Sequence, residues 1–160
     1  MAVTVRRAGE DDADTIARFA LALFAQHRAY DPGRFAELGN LAGAARYYAG
    51  RAAADEAAVL VAEAGDELIG FAYLEYERLD YANLLENAVW LHDLYVDESA
   101  RRSGAGKLLL QAAADFGKRV GAGKVVLSVA AKNALAKEFF LRAGFRETTI
   151  EMTLNLAAEE

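Results

Sequence analysis

The chain has 160 residues, a formal net charge of −6 at pH 7, 54% hydrophobic residues and no cysteine. That length suits one domain with a full core, and the acidic balance argues against nucleic acid as the main partner. The missing thiols exclude disulfides, thiolate metal sites and a cysteine nucleophile, and two histidines supply a zinc site poorly, so no metal is expected. No apolar run reaches the roughly 18 residues that read as a membrane span. The opening MAVTVRRAGEDD has no apolar stretch before a small-residue cleavage site, so no signal peptide and no membrane partner are expected. A cytoplasmic protein is the natural expectation, with a homodimer as its possible assembly.

Val3 to Arg7, VTVRR, alternates and is β-branched, which predicts a strand. Asp11 or Asp12 then caps a helix, DADTIARFALALFAQHR, whose Ile16, Phe19, Ala20, Leu23 and Phe24 recur at helical spacing. Asp31-Pro32-Gly33 is turn chemistry. An alanine-rich helical stretch follows to about Ala54, with breaks expected near Gly39 and Gly43. AAVLVAEA and ELIGFAYLEYERL predict two antiparallel strands joined at Gly65-Asp66. The strand AVWLHDLYV comes next, then a helix from about Gly104 to Val120. After the turn GAGK, VVLSVAA predicts a buried strand, and KNALAKEFFLRAGF a short helix with Gly144 as its C-cap. RETTIEMTLNL closes the chain as a long alternating strand. This order predicts one α/β (α+β) domain over residues 1–160, with a mixed, mostly antiparallel central sheet flanked by helices.

Arg101-Arg102-Ser103-Gly104-Ala105-Gly106 lies where a strand hands over to a helix. A helix start offers unpaired N–H groups and the positive end of its dipole, so it attracts anions. Glycines let the backbone approach a phosphate closely, and guanidinium groups match phosphate oxygens in a fork. The pattern points to a pyrophosphate cradle. It is neither a Walker A loop nor the dinucleotide fingerprint. The same six residues also describe a solvated basic turn capped by Ser103.

VDESARRSGAGKLLL resembles the acetyl-CoA loop of the GNAT N-acetyltransferases, Arg/Gln-x-x-Gly-x-Gly/Ala, and NALAKEFFLRAGF resembles that family's later Asn-x-x-Ala motif. The element order is similar along nearly the whole chain, and LHDLYV is most similar to diamine and other small-amine acetyltransferases. The resemblance implies acetyl-CoA as cofactor. It implies that the backbone of Leu94, Tyr95 and Val96 pairs with the pantetheine arm. Arg101, Arg102, Ser103, Gly104, Ala105, Gly106 and Lys107 would hold the pyrophosphate, and Asn133 would touch the cofactor. The strands AVWLHDLYV and VVLSVAA would splay apart to admit it.

Acetyl transfer to an amine requires a neutral amine, a stabilised oxyanion and a proton for the departing thiolate. Backbone N–H of Val96 or Tyr95 is the candidate oxyanion donor. Histidine titrates nearest neutrality, which makes His92 the candidate base; the alternative is a half-buried strand histidine bonded to a neighbour. Asp93 points to the opposite face if the strand is regular, although family members often bulge it. Where the family usually carries a tyrosine to protonate the thiolate, in the cofactor-binding helix, this chain has Phe140. Tyr95, Tyr76 and Tyr81 are the candidate substitutes, unless water serves or the thiol leaves unaided.

Glu75, Glu77, Asp80 and Glu86 line the hairpin and the segment before the central strand, a carboxylate-rich stretch suited to a cationic acceptor. A solvated acidic edge has the same composition. Phe24, His27, Glu75, Tyr76 and Asp93 are the candidate substrate contacts, with Tyr47, Tyr48 and Phe35 as pocket wall or core. The expected function is transfer of an acetyl group from acetyl-CoA to a small primary amine by direct attack in a ternary complex. A protein N-terminus or lysine as acceptor, and a non-catalytic acetyl-CoA sensor, are the alternatives.

Overall fold

The computed structural model describes residues 2–156. They form two compact units, residues 2–23 with 39–128, and residues 24–38 with 129–156.

The first unit is built on a five-stranded sheet in the order β1-β2-β3-β4-β5. Its strands are β1 (Val3–Arg7), β2 (Ala57–Ala64), β3 (Glu67–Asp80), β4 (Leu85–Val96) and β5 (Lys124–Val126). Neighbours are antiparallel except for β4 and β5, which run parallel. The sheet is therefore mixed and mostly antiparallel, as its sequence predicts. The hairpin at Gly65-Asp66 forms, and β2 buries six consecutive residues from Ala57 to Ala62. Burial on both faces is why that strand reads as a continuous apolar run and not as an alternation.

Helix α3 (Ala105–Val120) covers one face of the sheet, burying Leu109, Leu110, Ala113 and Phe116. Across the sheet lie α2 (Leu41–Ala52) and the first turns of α1 (Ala13–Tyr30), with Ile16, Ala17, Ala20 and Tyr48 buried. Phe71, Leu74, Val59, Val61 and Val89 fill the sheet's own share of the core. Each such side chain contributes about 1.5–3 kcal/mol on burial. Asn40 caps α2 by accepting the Gly43 N–H at 2.8 Å, so Gly43 lies inside the first turn and does not break the helix.

The second unit holds the end of α1, the turn after it, and α4 (Ala134–Arg142). Asn133 caps α4 by accepting the Ala136 N–H at 3.1 Å, and Gly144 follows its end at φ 101°. Two expectations fail here. The strand expected over 125–131 is laddered only at its start, since β5 ends at Val126, and none of its residues is buried. Residues 146–156, expected as a long strand, are in no ladder and are exposed throughout. An alternating pattern needs a neighbouring backbone before it becomes a strand, and among the described residues none pairs with it.

Candidate active site

The ladder between β3 and β4 slips at one place. Tyr73 is opposite Asp93 and Leu74 is opposite Leu91, which leaves His92 as the extra residue of a β-bulge. The bulge undoes the alternation expected of a regular strand. Asp93 therefore shares the α2 face with His92, where a regular strand would turn it away. Tyr48, buried on α2, donates its hydroxyl to Asp93 Oδ2 at 2.6 Å. Burial, and then the Asp93 charge, push the Tyr48 phenol well above its ordinary pKa.

Around the bulge the side chains interlock. The His92 ring stacks on Tyr73, with centroids 5.2 Å apart, and on Trp90 at 5.8 Å. Glu75, paired with Trp90 across the ladder, stands behind the imidazole with Oε2 at 3.9 Å from His92 Nε2. Its other oxygen, Oε1, accepts from the Tyr73 hydroxyl and lies 2.6 Å from Arg51 Nη2. Tyr47 reaches the same Tyr73 hydroxyl at 3.0 Å. Burial works against the Arg51 charge, but Tyr73 and Glu75 outweigh it and its pKa is raised. The Tyr73 phenol is pushed up, by burial first and then by Glu75. The His92 side chain is 40% exposed against 23% for Glu75, so the imidazole faces solvent with a carboxylate beneath it. A proton taken up by His92 would meet an opposite charge at ion-pair distance.

The other expected acceptor contacts lie elsewhere. Alternation turns Tyr76 to the α3 face, where its hydroxyl donates to Asn87 Oδ1 at 2.8 Å. Asp80 is engaged in its own turn, accepting from Asn83 N and Nδ2 at 3.1 and 2.8 Å. Tyr81 is 82% exposed in the same turn. Tyr95 shares the bulge face, its ring 5.5 Å from Phe19 with the Arg101 guanidinium 5.8 Å above it. Burial, and then Asp97, raise its pKa, so the Tyr95 hydroxyl keeps its proton at neutral pH.

Past the bulge, β4 has one partnered edge and one open edge. It pairs with β3 as far as Val96, whereas its ladder with β5 stops at Trp90 opposite Val126. From Leu91 to Val96 the second edge has no ladder partner among the described residues. A backbone there can accept an added extended chain. Gly70 makes this end of β4 possible. A Cβ at that position would sit 2.6 Å from the Tyr95 carbonyl oxygen and 3.3 Å from Val96 Cα.

The turn that follows is short and exposed. Arg101 Nε donates to the Val96 carbonyl at 3.1 Å, and Ser103 Oγ accepts the Ala105 N–H at 3.2 Å. Arg102 and Gly104 are both left-handed, at φ 71° and 89°. Gly104, and not Ser103, is the N-cap residue of α3, and a Cβ there would meet nothing within 4 Å. The first-turn N–H groups of Gly106 and Lys107 have no carbonyl one turn earlier to bond, so they are available to an anion at the helix start. Those donors, the open edge of β4 and the basic side chains Arg101, Arg102 and Lys107 suit a pyrophosphate followed by an extended amide-bearing arm.

Four of the expected residues belong to the second unit. Asn133 is the cap of α4. Phe140 packs between Phe139 and Phe145, at 5.2 and 5.6 Å, and offers no hydroxyl. Phe24 is half-buried on α1, and the His27 ring lies 5.0 Å from Phe35. Sequence reasoning missed Tyr73, Arg51, Trp90 and Gly70. Tyr73 and Trp90 each stand two residues from a named candidate, at strand spacing, and an isolated glycine in a strand signals close backbone approach. Arg51 carried no signal.

Residues 22–145 match the model of the acetyltransferase (GNAT) family, and the chain belongs to that family. It is 31% identical over 159 residues, 98% of this chain and all of the relative, to the uncharacterized N-acetyltransferase YhfO of Bacillus subtilis (strain 168). The tetramutant of the BH1408 protein from Bacillus halodurans has a similar fold, with a TM-score of 0.82, 23% identity and coverage of 96% of this chain and 99% of that one. The aminoglycoside N-acetyltransferase AAC(6')-Iy, solved in complex with CoA, gives 0.79 at 20% identity over 98% and 96% of the two chains. The protein is thus a GNAT-type N-acetyltransferase with acetyl-CoA as acetyl donor. Among its described residues no helix is long and apolar enough to cross a membrane, and no group of three or more His, Asp or Glu side chains could hold a metal ion.

Proposed function

We propose that residues 1–160 act as a single N-acetyltransferase domain that moves the acetyl group of acetyl-CoA to a small cationic primary amine, with His92 as the base. The observation that carries this reading is the bulge, which turns the half-exposed imidazole outward with Glu75 Oε2 at 3.9 Å behind it. His92 accepts the ammonium proton as the amine attacks, and Glu75 stabilises the imidazolium that results. Glu75 is a positioning residue here, because Tyr73 and Arg51 already hold its Oε1. Exposed Tyr47 and the Trp90 ring offer aromatic faces, which attract cations. Asp93, held by Tyr48, adds negative charge on the same face.

The acetyl donor lies along the open edge of β4. The backbone of Leu94, Tyr95 and Val96 pairs with the pantetheine arm, an N–H of Tyr95 or Val96 serves the oxyanion, and the residues Arg101 to Lys107 hold the pyrophosphate. Asn133 and Phe140 contact the cofactor from α4, and Phe24 and His27 form the acceptor rim. Tyr95, whose hydroxyl stays protonated, gives a proton to the departing thiolate. The enzyme works in the cytoplasm as a homodimer.

The test is release of coenzyme A from acetyl-CoA across a panel of diamines, polyamines, aminoglycosides and lysine peptides. The absence of cysteine leaves a thiol dye without protein background. His92→Ala is expected to lower kcat by about 10²–10⁴-fold while acetyl-CoA binding by calorimetry is retained. A loss below threefold would remove His92 from the mechanism, and a protein that binds acetyl-CoA but turns over no amine would be a sensor.

A further inference from the structure

Arg51, in the last turn of α2, enters the mechanism above only as a partner of Glu75. A cation at a helix C-terminus is favourable when it simply faces water. This one is turned inward instead, and its Nε N–H is buried with no hydrogen-bond partner among the described residues. An unpaired buried donor is unfavourable. The guanidinium is spent on a single carboxylate oxygen: Glu75 Oε1 lies 2.6 Å from Arg51 Nη2 and also accepts from the Tyr73 hydroxyl, which Tyr47 reaches at 3.0 Å. The other oxygen, Oε2, stops 3.9 Å from His92 Nε2. That is ion-pair distance, but beyond the roughly 3.2 Å limit of a hydrogen bond.

The other titratable groups on this face are Tyr73 and Glu77 on β3, Asp93 on β4, and Tyr47 and Tyr48 on α2. Burial above all pushes up the Tyr73 and Tyr48 phenols, so both keep their protons. Asp93 accepts from Tyr48, and Glu77 is opposite Ala88, further along the ladder from the bulge. Glu75 is thus an anion at ion-pair distance from His92, and Arg51 is the cation bonded to it.

We propose that Arg51 is a positioning residue that restrains Glu75, keeping the carboxylate where it steadies the imidazolium without capturing it in a hydrogen-bonded pair. This inference rests on the reading of His92 as the base. A base must be unprotonated when the amine arrives and must release its proton after each turnover. A carboxylate free to close on the ring would hold that proton. A guanidinium on Oε1 offsets part of the carboxylate charge and fixes its rotation. Loss of Arg51 therefore makes His92 harder to deprotonate, whereas loss of the Glu75 charge makes it easier. The two substitutions act in opposite directions although the two side chains touch.

The test is proton NMR titration of the imidazoles, of which the chain has two, with His92→Ala identifying the His92 signal by its loss. Wild type is compared with Arg51→Met, Arg51→Gln and Glu75→Gln, and the pH profile of kcat/KM is measured beside it. Methionine and glutamine are good helix formers, so α2 should survive either change. In both Arg51 variants the His92 midpoint is expected to rise, and the acid limb of the profile with it. Their kcat/KM should fall roughly 3- to 10-fold at neutral pH and recover toward the wild-type value in alkaline buffer. In Glu75→Gln the midpoint is expected to fall. An arginine that only braces the end of α2 would lower stability and leave the titration in place. An unmoved or lower midpoint in either Arg51 variant would overturn the proposal, as would a midpoint that does not fall in Glu75→Gln. The titration needs no acetyl transfer. If it moves as stated while His92→Ala keeps its rate, the charge relation stands and the base assignment falls. If His92→Ala loses activity and the titration does not move, the base stands and the restraint falls.

Discussion

The two halves of the proposed site, the β4 bulge and the run from the open edge of β4 into α3, are specified in different ways. The proposed acceptor side, at the β4 bulge, is made of side chains: His92, Glu75, Tyr73, Trp90 and Arg51 each touch another member of the set. The donor side, from the open edge of β4 through the turn to α3, is made largely of backbone, with left-handed Arg102 and Gly104 shaping the loop. Chemistry at a reacting amine needs a group that can take a proton, and a side chain such as an imidazole supplies one. Holding a pyrophosphate needs several donors aimed at one point, and a helix start supplies them from the main chain. Substitution should therefore act on the two halves in opposite ways, on kcat in the first and on cofactor affinity in the second.

The largest expected effect is the loss in kcat at His92→Ala described above. Gly104→Val comes next. A β-branched residue at φ 89° meets no neighbour, so the variant should fold. The left-handed strain of about 1–2 kcal/mol would reshape the turn and raise the KM for acetyl-CoA by roughly 10-fold with kcat little changed. An equal fall in kcat with unaltered KM would erase the distinction between the two halves.

Gly70→Ala lies between them in kind. Its Cβ would press on the Tyr95 carbonyl at 2.6 Å, backbone that cannot swing aside. A loss of about 1–3 kcal/mol in denaturant unfolding is expected, together with weaker acetyl-CoA binding, because the displaced strand end carries Tyr95 and Val96. Full stability in this variant would mean that β4 does not need the close approach.

The smallest effect is remote from both halves and serves as their control. Asp12 is held below the ordinary carboxylate range, first by its hydrogen bonds with Arg6, against the opposing effect of burial. A group whose folded pKa is depressed stabilises the fold above its unfolded pKa, and the contribution disappears as pH falls through the folded value. Asp12→Asn should thus cost about 1 kcal/mol at neutral pH, small because the Arg6 side chain is 42% exposed. The difference from wild type should begin to shrink only below about pH 4, near the unfolded pKa, and vanish once pH has fallen through the depressed folded value. Kinetic constants should not move.

Much of this architecture is legible in the sequence. The strands at 3–7, 57–64 and 67–80 and the helix at 105–120 follow from local periodicity and turn residues, which record the faces a segment buries. The motif Arg101 to Gly106 announces its place at a strand-to-helix junction because glycine and arginine are unusual there for stated reasons. The bulge is not legible. LHDLYV can be laddered in register or out of it, and only pairing with Tyr73 and Leu74 makes His92 the extra residue and brings Asp93 to its face. Arg51 is equally silent, since its place beside Glu75 depends on where α2 lies against the sheet.

The clearest contrast is between β3 and residues 146–156. Both carry strand patterning: β3 has a continuous apolar run from Ile69 to Leu74 that is buried on both faces, and residues 150–156 alternate apolar and polar side chains. β3 lies between β2 and β4 and is laddered on both sides, while the later segment has no neighbour among the described residues. A sequence determines which side of a strand prefers burial, because that is a property of consecutive residues. Which backbone lies alongside it, and so whether there is a strand at all, depends on hydrogen bonds to residues distant in the chain, and only the tertiary structure decides those.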